Sequence, residues 1–477
     1  MRQFLSLLLL LSLFSFSTAS AQSPGDIGTT DLFMWLKADA GISSSNNGDP
    51  VSLWEDQGPN GNHAIQVDPL AQPIFNTKRI NGAPALRFNH ANRFMNIPFD
   101  AASDGDFTVF IVAKRTNGNN NSFLMASTGS AGVGFEWGLP NETSIKVEQF
   151  GSASTMTIPG FSSDEVPMIF QSSNSPISGV NNMISRSGVN YNDSDPASTG
   201  TDALFGFLGK NDNNEGFRGY IAEVIIYDRQ LIFSEINKIR TYLATKYGMT
   251  LVLSENENFS DATFNHATFG LQQDANQALS MTSSESEEPS TIAKAKSIAS
   301  MNEDEFLMVG HNNAPINFTN SSLRCGLDEL CDRVWKMESN FNPNNLKMEF
   351  DFTAYPAVDL QKIYMLIDFN NNGFEDDKIT YGNVSGSKVT FNMRGLANGN
   401  TFTLGLGNTK WTAMASGLST DAIWSPTAST SDLQVAPECE HFWYAIRSSA
   451  TVELASDLEM YILDNQGTLN LNNHNLT

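Results

Sequence analysis

The chain has 477 residues, too many for one hydrophobic core, so two to four domains are expected. Its 52 acidic residues against 28 basic ones give a formal charge of −24, which argues against nucleic acid, whose phosphates need clustered Lys and Arg. The same balance suits a solvated acidic surface and divalent cations.

Arg2 precedes an apolar run from Phe4 to Phe16, and small residues follow as far as Ala19-Ser20-Ala21. This is the pattern of a secretory signal peptide over residues 1–21, cut before Gln22. The run is too short for a spanning helix, and no other stretch reaches membrane-spanning length. No Cys follows the cleavage site to carry a lipid anchor. The mature protein is therefore expected to be secreted or held at the cell surface, without a membrane-spanning segment.

Residues 24–251 read as a first domain. Phe107–Lys114 is apolar on both faces and is predicted to be a central strand. Shorter strands are predicted at 84–89, 122–127, 133–137, 144–150, 167–172 and 203–209, separated by turns rich in Gly, Asn and Ser. Gly219–Asp228 is again apolar on both sides. Tyr220, Ala222, Val224 and Ile226 alternate with Ile221, Ile225 and Tyr227, and Glu223 is the polar exception. A helix follows, with Ser234 as N-cap and Glu235 in its first turn. Ile236, Ile239, Leu243 and Tyr247 lie at helical spacing, Lys246 in the last turn, and Gly248 at C′. Many short strands with such turns predict a sandwich of two antiparallel sheets.

The acidic run Ser283–Pro289 is predicted to be a solvated loop. Strand patterns resume at 305–310, 333–338, 346–352, 362–368, 388–393 and 401–406, so 252–407 reads as a second β-sandwich. Over 408–477, the segments at 451–454, 458–463 and 467–472 are short apolar alternations between Asp, Asn and Gly turns. They read as the first rungs of a repetitive β region, truncated in mid-pattern at Thr477. Three cysteines are too few for a disulfide scaffold. Cys325 and Cys331 are spaced to close one short loop in an oxidising compartment. Cys439 is left over, either for a partner beyond residue 477 or as a buried thiol.

Ordered motifs carry a family resemblance. The first domain opens with Trp35-Leu-Lys-Ala-Asp39, continues with Trp54–Ala64 and Ile80–Phe88, and ends with Glu223, Val224, Tyr227, Asp228 and Arg229, then Tyr242, Leu243, Ala244, Lys246, Tyr247 and Gly248. It resembles the bacterial laminin-G-like (concanavalin A-like lectin/glucanase) jelly-roll domains. That resemblance implies a jelly-roll sandwich and leaves the ligand open, because such folds host many functions. The second region, through Arg333-Val-Trp335 and Leu366-Ile367-Asp368, resembles an uncharacterised β domain that follows the jelly roll in large surface proteins of gliding, polymer-degrading bacteria. No known chemistry comes with it.

The resemblance to retaining glucanases makes an enzyme the first possibility to test. Their chemistry needs two carboxylates about 5–5.5 Å apart, supplied in that family by Glu-x-Asp-x-x-Glu on one strand. The nearest match, Glu349-Phe-Asp351-Phe-Thr-Ala354, lacks the last Glu and lies in the second domain. Glu223 and Asp228 have odd spacing, which places them on opposite faces, and Glu223 reads as a structural partner of the helix. There is no Gly-x-Ser-x-Gly elbow and no His-Glu-x-x-His, and His63 reads as turn scaffolding. No enzyme is expected.

Oxygen ligands at Asp368, Asn370, Asn372 and Asp376, with Gly373 at the sixth position, match the calcium-loop spacing, although Ile379 replaces the bidentate Glu. A plain Asx-rich turn is the other reading. Asp56 and Asp104 are further calcium candidates with no motif to fix them. A glycan site needs exposed aromatics with nearby amides. Trp35 and Trp54 sit in framework motifs and read as core, Trp137 is the least committed, and the Asn-rich loops 117–121 and 211–214 supply polar groups. No motif fixes carbohydrate-binding residues.

The expectation is an all-β chain: a concanavalin A-like jelly roll, a second sandwich and a repetitive β region. Its expected role is that of a secreted or cell-surface, non-catalytic protein binding a glycan or cell-surface protein in adhesion, with calcium assisting. The alternative is the accessory region of a polysaccharide-degrading enzyme whose catalytic domain lies outside this chain.

Overall fold

A computed structural model describes residues 22–407 except 43, 45, 90–91, 99–105, 117–121, 128–134, 140–143, 150–151, 158–165, 175–179, 196–204, 286–292, 298–300, 321–326, 344–345, 375–377 and 394–395; beyond 407 it describes short strands only. The expected signal peptide lies outside the described residues, as do Asp104, Cys325, Asp376 and Cys439. Among the described residues the protein is almost all β, with one α-helix.

The first sandwich is built of two antiparallel sheets. In the first sheet the strand order is Val189–Asp195, Val180–Arg186, Pro167–Asn174, Phe107–Arg115, Arg218–Tyr227, Ala83–Asn89 and Ile74–Ile80, with Leu32–Lys37 also paired to Arg218–Tyr227. The two strands predicted to be buried on both faces are the central neighbours. The second sheet runs Ser152–Thr157, Ser144–Gln149, Phe135–Leu139, Ser122–Ser127, Phe205–Leu208, Met95–Pro98, Ala64–Ile65 and Leu53–Trp54. Met34, Leu36, Trp54, Phe88, Ile111, Leu124, Trp137 and Phe170 fill the space between the sheets.

Simple alternation fails in one place. The pairing of Arg218–Tyr227 with Phe107–Arg115 shifts register between Ile221 and Glu223. This bulge inserts one residue and turns the strand. Ile221 therefore joins Val224 and Ile226 in the inter-sheet core, while Tyr220 and Ala222 join Ile225 and Tyr227 on the opposite face.

The helix Phe233–Tyr247 covers that opposite face, burying Ile239, Tyr242, Leu243 and Tyr247 against Trp35, Phe110, Ile225 and Tyr227. It begins before Ser234, which is in its first turn and not the cap. Glu235 decides this: its carboxylate accepts the Ile232 N–H at 3.1 Å and is clamped by Arg229 at 2.7 Å. Gly248 ends the helix in the left-handed region at φ +64, as its position predicts. A β-carbon there would also lie 2.3 Å from the Glu285 carbonyl oxygen.

The second sandwich begins under the same helix. One sheet runs Leu279–Ser280, His266–Asp274, Glu305–His311, Leu327–Ser339, Thr401–Gly407, Ile363–Asp368 and Lys378–Tyr381, with Phe318–Asn320 alongside Leu327–Ser339. The facing sheet runs Ser283–Glu285, Ala293–Ser297, Leu346–Asp351, Lys388–Asn392 and Asn383–Ser385. Trp335 centres the core, stacked on Phe402 with ring centroids 5.9 Å apart and edge-on to Phe350. Ser283–Glu285 is thus an edge strand and not a solvated loop. Ser284 is buried, and its hydroxyl accepts from Gly270 N–H and from the Asn81 amide. Asn81 also donates to Lys246 O and accepts from Glu285 N–H, joining the two sandwiches and the helix end. Cys331 is buried as a thiol, and Cys325, to which its spacing allows a short disulfide, lies outside the described residues.

Farther along, pairing turns parallel. Trp411–Ala413, Trp443–Ile446 and Ile462–Asn465 form one parallel ladder, and Gly417–Leu418, Thr451–Glu453 and Thr468–Asn470 form another. Both ladders are parallel, unlike the antiparallel sheets of the two sandwiches.

Candidate functional site

The tryptophans considered for sugar stacking are all interior. Trp54 and Trp137 lie in the inter-sheet core, Trp137 edge-on to Phe170, and Trp35 lies beneath the helix. Loop 117–121 lies outside the described residues. In the 211–214 turn, Asn211 is buried and its side-chain oxygen accepts from Asn213 N–H and Glu215 N–H. Asp56 organises the Trp54–Ala64 turn by accepting from the backbone N–H groups of Trp35, Gly58 and Asn62, and His63 Nδ1 accepts from Asp56 N–H. Glu349 and Asp351 are both bridged by Lys388.

Glu223 is the hub of a buried polar network. Its Oε1 accepts from Trp35 Nε1 and Tyr242 OH, both at 2.7 Å, and its Oε2 from Lys246 Nζ and Tyr247 OH, both at 2.8 Å. Lys246 also reaches Asp39 Oδ1 at 3.0 Å. Burial pushes Lys246 down, but Glu223 and Asp39 outweigh it and raise the ammonium above its ordinary range. Burial pushes Asp39 up, but Lys246 and Lys37 outweigh it and hold the carboxyl below its ordinary value. Burial and the Glu223 charge push both tyrosine hydroxyls up. Six residues from the opening and closing motifs of the first domain thus meet here, and the network bolts the helix to the sheet.

The Asp368 loop closes on itself. Asp368 is buried, with Oδ1 accepting from Asn370 N–H and Oδ2 from Gly373 N–H, and Asn370 Oδ1 accepts from Asn372 N–H. Asn370 and Asn372 are exposed, and Asp376 lies outside the described residues. The described part is an Asx turn whose carboxylate is already engaged. A separate acidic group, Asp274, Glu303 and Asp304, brings its oxygens within 4.8 Å of one another. There too the carboxylates serve the backbone: Asp274 accepts from Gln277 N–H and Glu303 from Ala275 N–H.

Aromatic, amide and apolar groups converge at the surface of the second sheet. The helix covers the outer side of the first sheet, whereas the second sheet carries outward side chains at its Ala64–Ile65, Met95–Pro98 and Phe205–Leu208 end. Register aligns Ile65, Asn96 and Phe207 in one row. Phe94 meets Phe207 edge-on at 5.7 Å, and Lys210 Nζ sits 3.9 Å and 4.2 Å from the two ring centroids. Burial lowers the Lys210 ammonium, and Nζ donates to Asn214 Oδ1. Loop 66–72 flanks this row. Gln66 donates to Phe94 O, Gln72 to Gln66 O, and Asp68 accepts from Leu70 N–H, so the backbone is fixed. Yet Val67 is 82% and Leu70 84% exposed. Sequence reasoning missed this face because it depends on register between strands far apart in the chain. The legible signal was Val67-Asp-Pro-Leu70, a turn flanked by two apolar residues.

A protein-family profile described as "Domain of unknown function (DUF8202)" matches residues 235–400, which span the helix and most of the second sandwich. No curated protein matches the chain. Among solved structures, the chain is similar to a Trypanosoma rangeli sialidase in complex with the inhibitor DANA, at 14% identity and TM-score 0.30, over 48% of this chain and 36% of the sialidase. It is also similar to domain 4 of AbnA, a GH43 extracellular arabinanase from Geobacillus stearothermophilus in complex with arabinotriose, at 15% identity and TM-score 0.31, over 44% of this chain and 98% of that domain. The chain spans about a third of the sialidase it matches. Likeness at this level carries no argument about fold or ligand. No helix among the described residues is long and apolar enough to cross a membrane.

Proposed function

We propose that this is an exported, non-catalytic binding protein whose first sandwich, of laminin-G-like type, takes a glycan on the Ile65–Asn96–Phe207 face, in the service of surface adhesion. The observation that carries this reading is the face itself, where aromatic rings, the Asn96 and Asn214 amides and an ammonium meet beside two displayed apolar side chains. A sugar ring has an apolar face and a rim of hydroxyls, and such a surface answers both. The exposure of Val67 and Leu70 favours a second reading, a protein partner, since apolar residues held out on a fixed loop mark contact sites. Calcium enters the proposal through the Asp368 loop and needs Asp376 to complete the ligand set.

The test is a glycan array probed with the full chain, with calcium and with chelator, beside the Phe207→Ala/Asn96→Ala variant. Saturable binding that the double variant weakens by about tenfold or more, the worth of about 1.4 kcal/mol, supports the glycan reading. A blank array with both proteins folded overturns it and leaves the protein partner. Loss of binding with chelator brings calcium into the site.

A further inference from the structure

Beneath the helix, a nucleophile, an electrophilic carbon and a proton carrier are held together. Lys246 Nζ lies 3.0 Å from Asp39 Oδ1 and 2.8 Å from Glu223 Oε2, and the lysine side chain is 5% exposed. Two different carboxylates converge on the same nitrogen, as they also do at Lys388, but Lys388 is 47% exposed whereas Lys246 is sealed. Other lysine–carboxylate pairs among the described residues use lysines at least 22% exposed. We propose that Lys246 and Asp39 condense to an amide, an internal isopeptide cross-link, with Glu223 as the proton carrier.

The step balances without any co-reactant. The Lys246 ammonium passes one proton to the Asp39 carboxylate, giving a free amine beside a neutral acid. The nitrogen lone pair attacks Asp39 Cγ, forming the N–C bond. Glu223 accepts the remaining surplus proton from nitrogen and hands it to the departing hydroxyl. The C–O bond breaks, water leaves, and Glu223 returns to its starting form. The first transfer works against the mutual attraction that holds Lys246 protonated and Asp39 ionised, and is driven forward by the loss of water and by the fixed contact of the two groups. Trp35, Tyr242 and Tyr247 wall off bulk solvent. Asp39 lies at the rim with a third of its side chain exposed, so the released water has an exit. The fold holds amine and carboxyl together for its whole lifetime, which replaces an activated acid by proximity.

The bond would join the end of the Leu32–Lys37 strand to the last turn of the helix, residues 207 apart in sequence. It would lock the first and closing elements of the sandwich, a useful property in a chain under tension at a surface.

The test is peptide mapping by mass spectrometry of the denatured full chain after tryptic digestion. The expected result is a branched peptide joining the Asp39 segment to the Lys246 segment, lighter by one water than the two together. Asp39→Asn gives the same branched product by losing ammonia instead, Asp39→Ala gives none, and Glu223→Gln leaves the two peptides separate while circular dichroism reports the fold. Two separate unmodified peptides from the folded wild-type chain overturn the proposal. So does a water deficit confined to the Asp39 peptide, which would mark a local succinimide.

Discussion

Two tryptophans organise the two sandwiches, and they are buried in opposite ways. Trp35 gives its indole N–H to Glu223, which Lys246 and two tyrosines also hold, so the helix is tied down by a fully satisfied polar hub. Trp335 lies between Phe402 and Phe350 beside His311, and its indole N–H has no partner. The first arrangement is directional, since each donor fixes an angle as well as a distance. The second depends on shape and apolar area alone. A charged hub therefore makes the first sandwich sensitive to loss of a single partner, whereas the second is sensitive to anything that puts charge into an apolar core.

The largest effect expected follows from that contrast. Compared with an Asp39→Ala chain, in which Lys246 stays a free ammonium, Lys246→Met/Asp39→Ala keeps the length of the side chain but leaves the Glu223 carboxylate sealed under the helix without its cation. Breaking a buried pair from one side costs about 3–5 kcal/mol. Urea unfolding followed by hydrogen exchange in Arg218–Tyr227 and the helix should show a midpoint lowered accordingly, with Leu327–Ser339 little affected. A shift below about 1 kcal/mol would mean that water reaches Glu223.

The sequence foretold this hub only by half. A lone carboxylate in a strand apolar on both sides demands a buried partner, and Lys246 in the last helical turn was a fair candidate. Trp35 and Asp39 were not readable as partners, because nearly 190 residues or more separate them from the groups they meet. The bulge after Ile221 also defeats alternation, since one extra residue exchanges the faces. Long central strands and the Gly248 terminus were legible because each rests on local chemistry. Ser283–Glu285 was misread because a three-residue edge among acidic neighbours has no period of its own. The Ile65–Asn96–Phe207 row was invisible for the same reason as the hub, being a product of register.

The next effect separates the cores by pH. His311 is buried with Nδ1 accepting from Asn313 N–H, and burial, with Arg333 and His266 nearby, pushes its pKa from 6.5 to about 3. In that window the unfolded chain binds more protons than the folded one, so stability is present above about 6.5 and falls as pH drops toward 3, by about 1 kcal/mol per unit. The hub behaves otherwise. As free groups, before any amide joins them, Asp39 is held low, so its contribution is lost only as acid reaches the carboxylate range, and Lys246 is held high, so its contribution is lost only in strong alkali; once joined, neither titrates. Hydrogen-exchange protection, taken relative to the intrinsic rate at each pH, should therefore fall from pH 7 to pH 5 in Glu305–His311 before it falls in Arg218–Tyr227, and His311→Gln should reduce the difference. An equal fall of protection in both would show that the cores do not differ in this respect.

The smallest effect sharpens the comparison without destabilising either core. Cys331 is a buried thiol of the second sandwich, and burial pushes its pKa up to about 11. Near pH 8 it is protonated as well as shielded, so alkylation requires the second core to open. In a Cys325→Ser/Cys439→Ser background, the labelling rate of Cys331 measures that opening directly. The two cores touch through Asn81 with Ser284 and Glu285, Thr250 with Thr268, Thr245 against Met308 and Leu279 beneath the helix, all at the margin of the second core. Introducing Lys246→Met into this background should therefore leave the labelling rate within about threefold, because the contacts of Cys331 belong to the Trp335 cluster and not to the helix. A rise well beyond that would show that the joint passes the loss of the Glu223 hub into the neighbouring core, and that the two ways of burying a tryptophan are energetically one system.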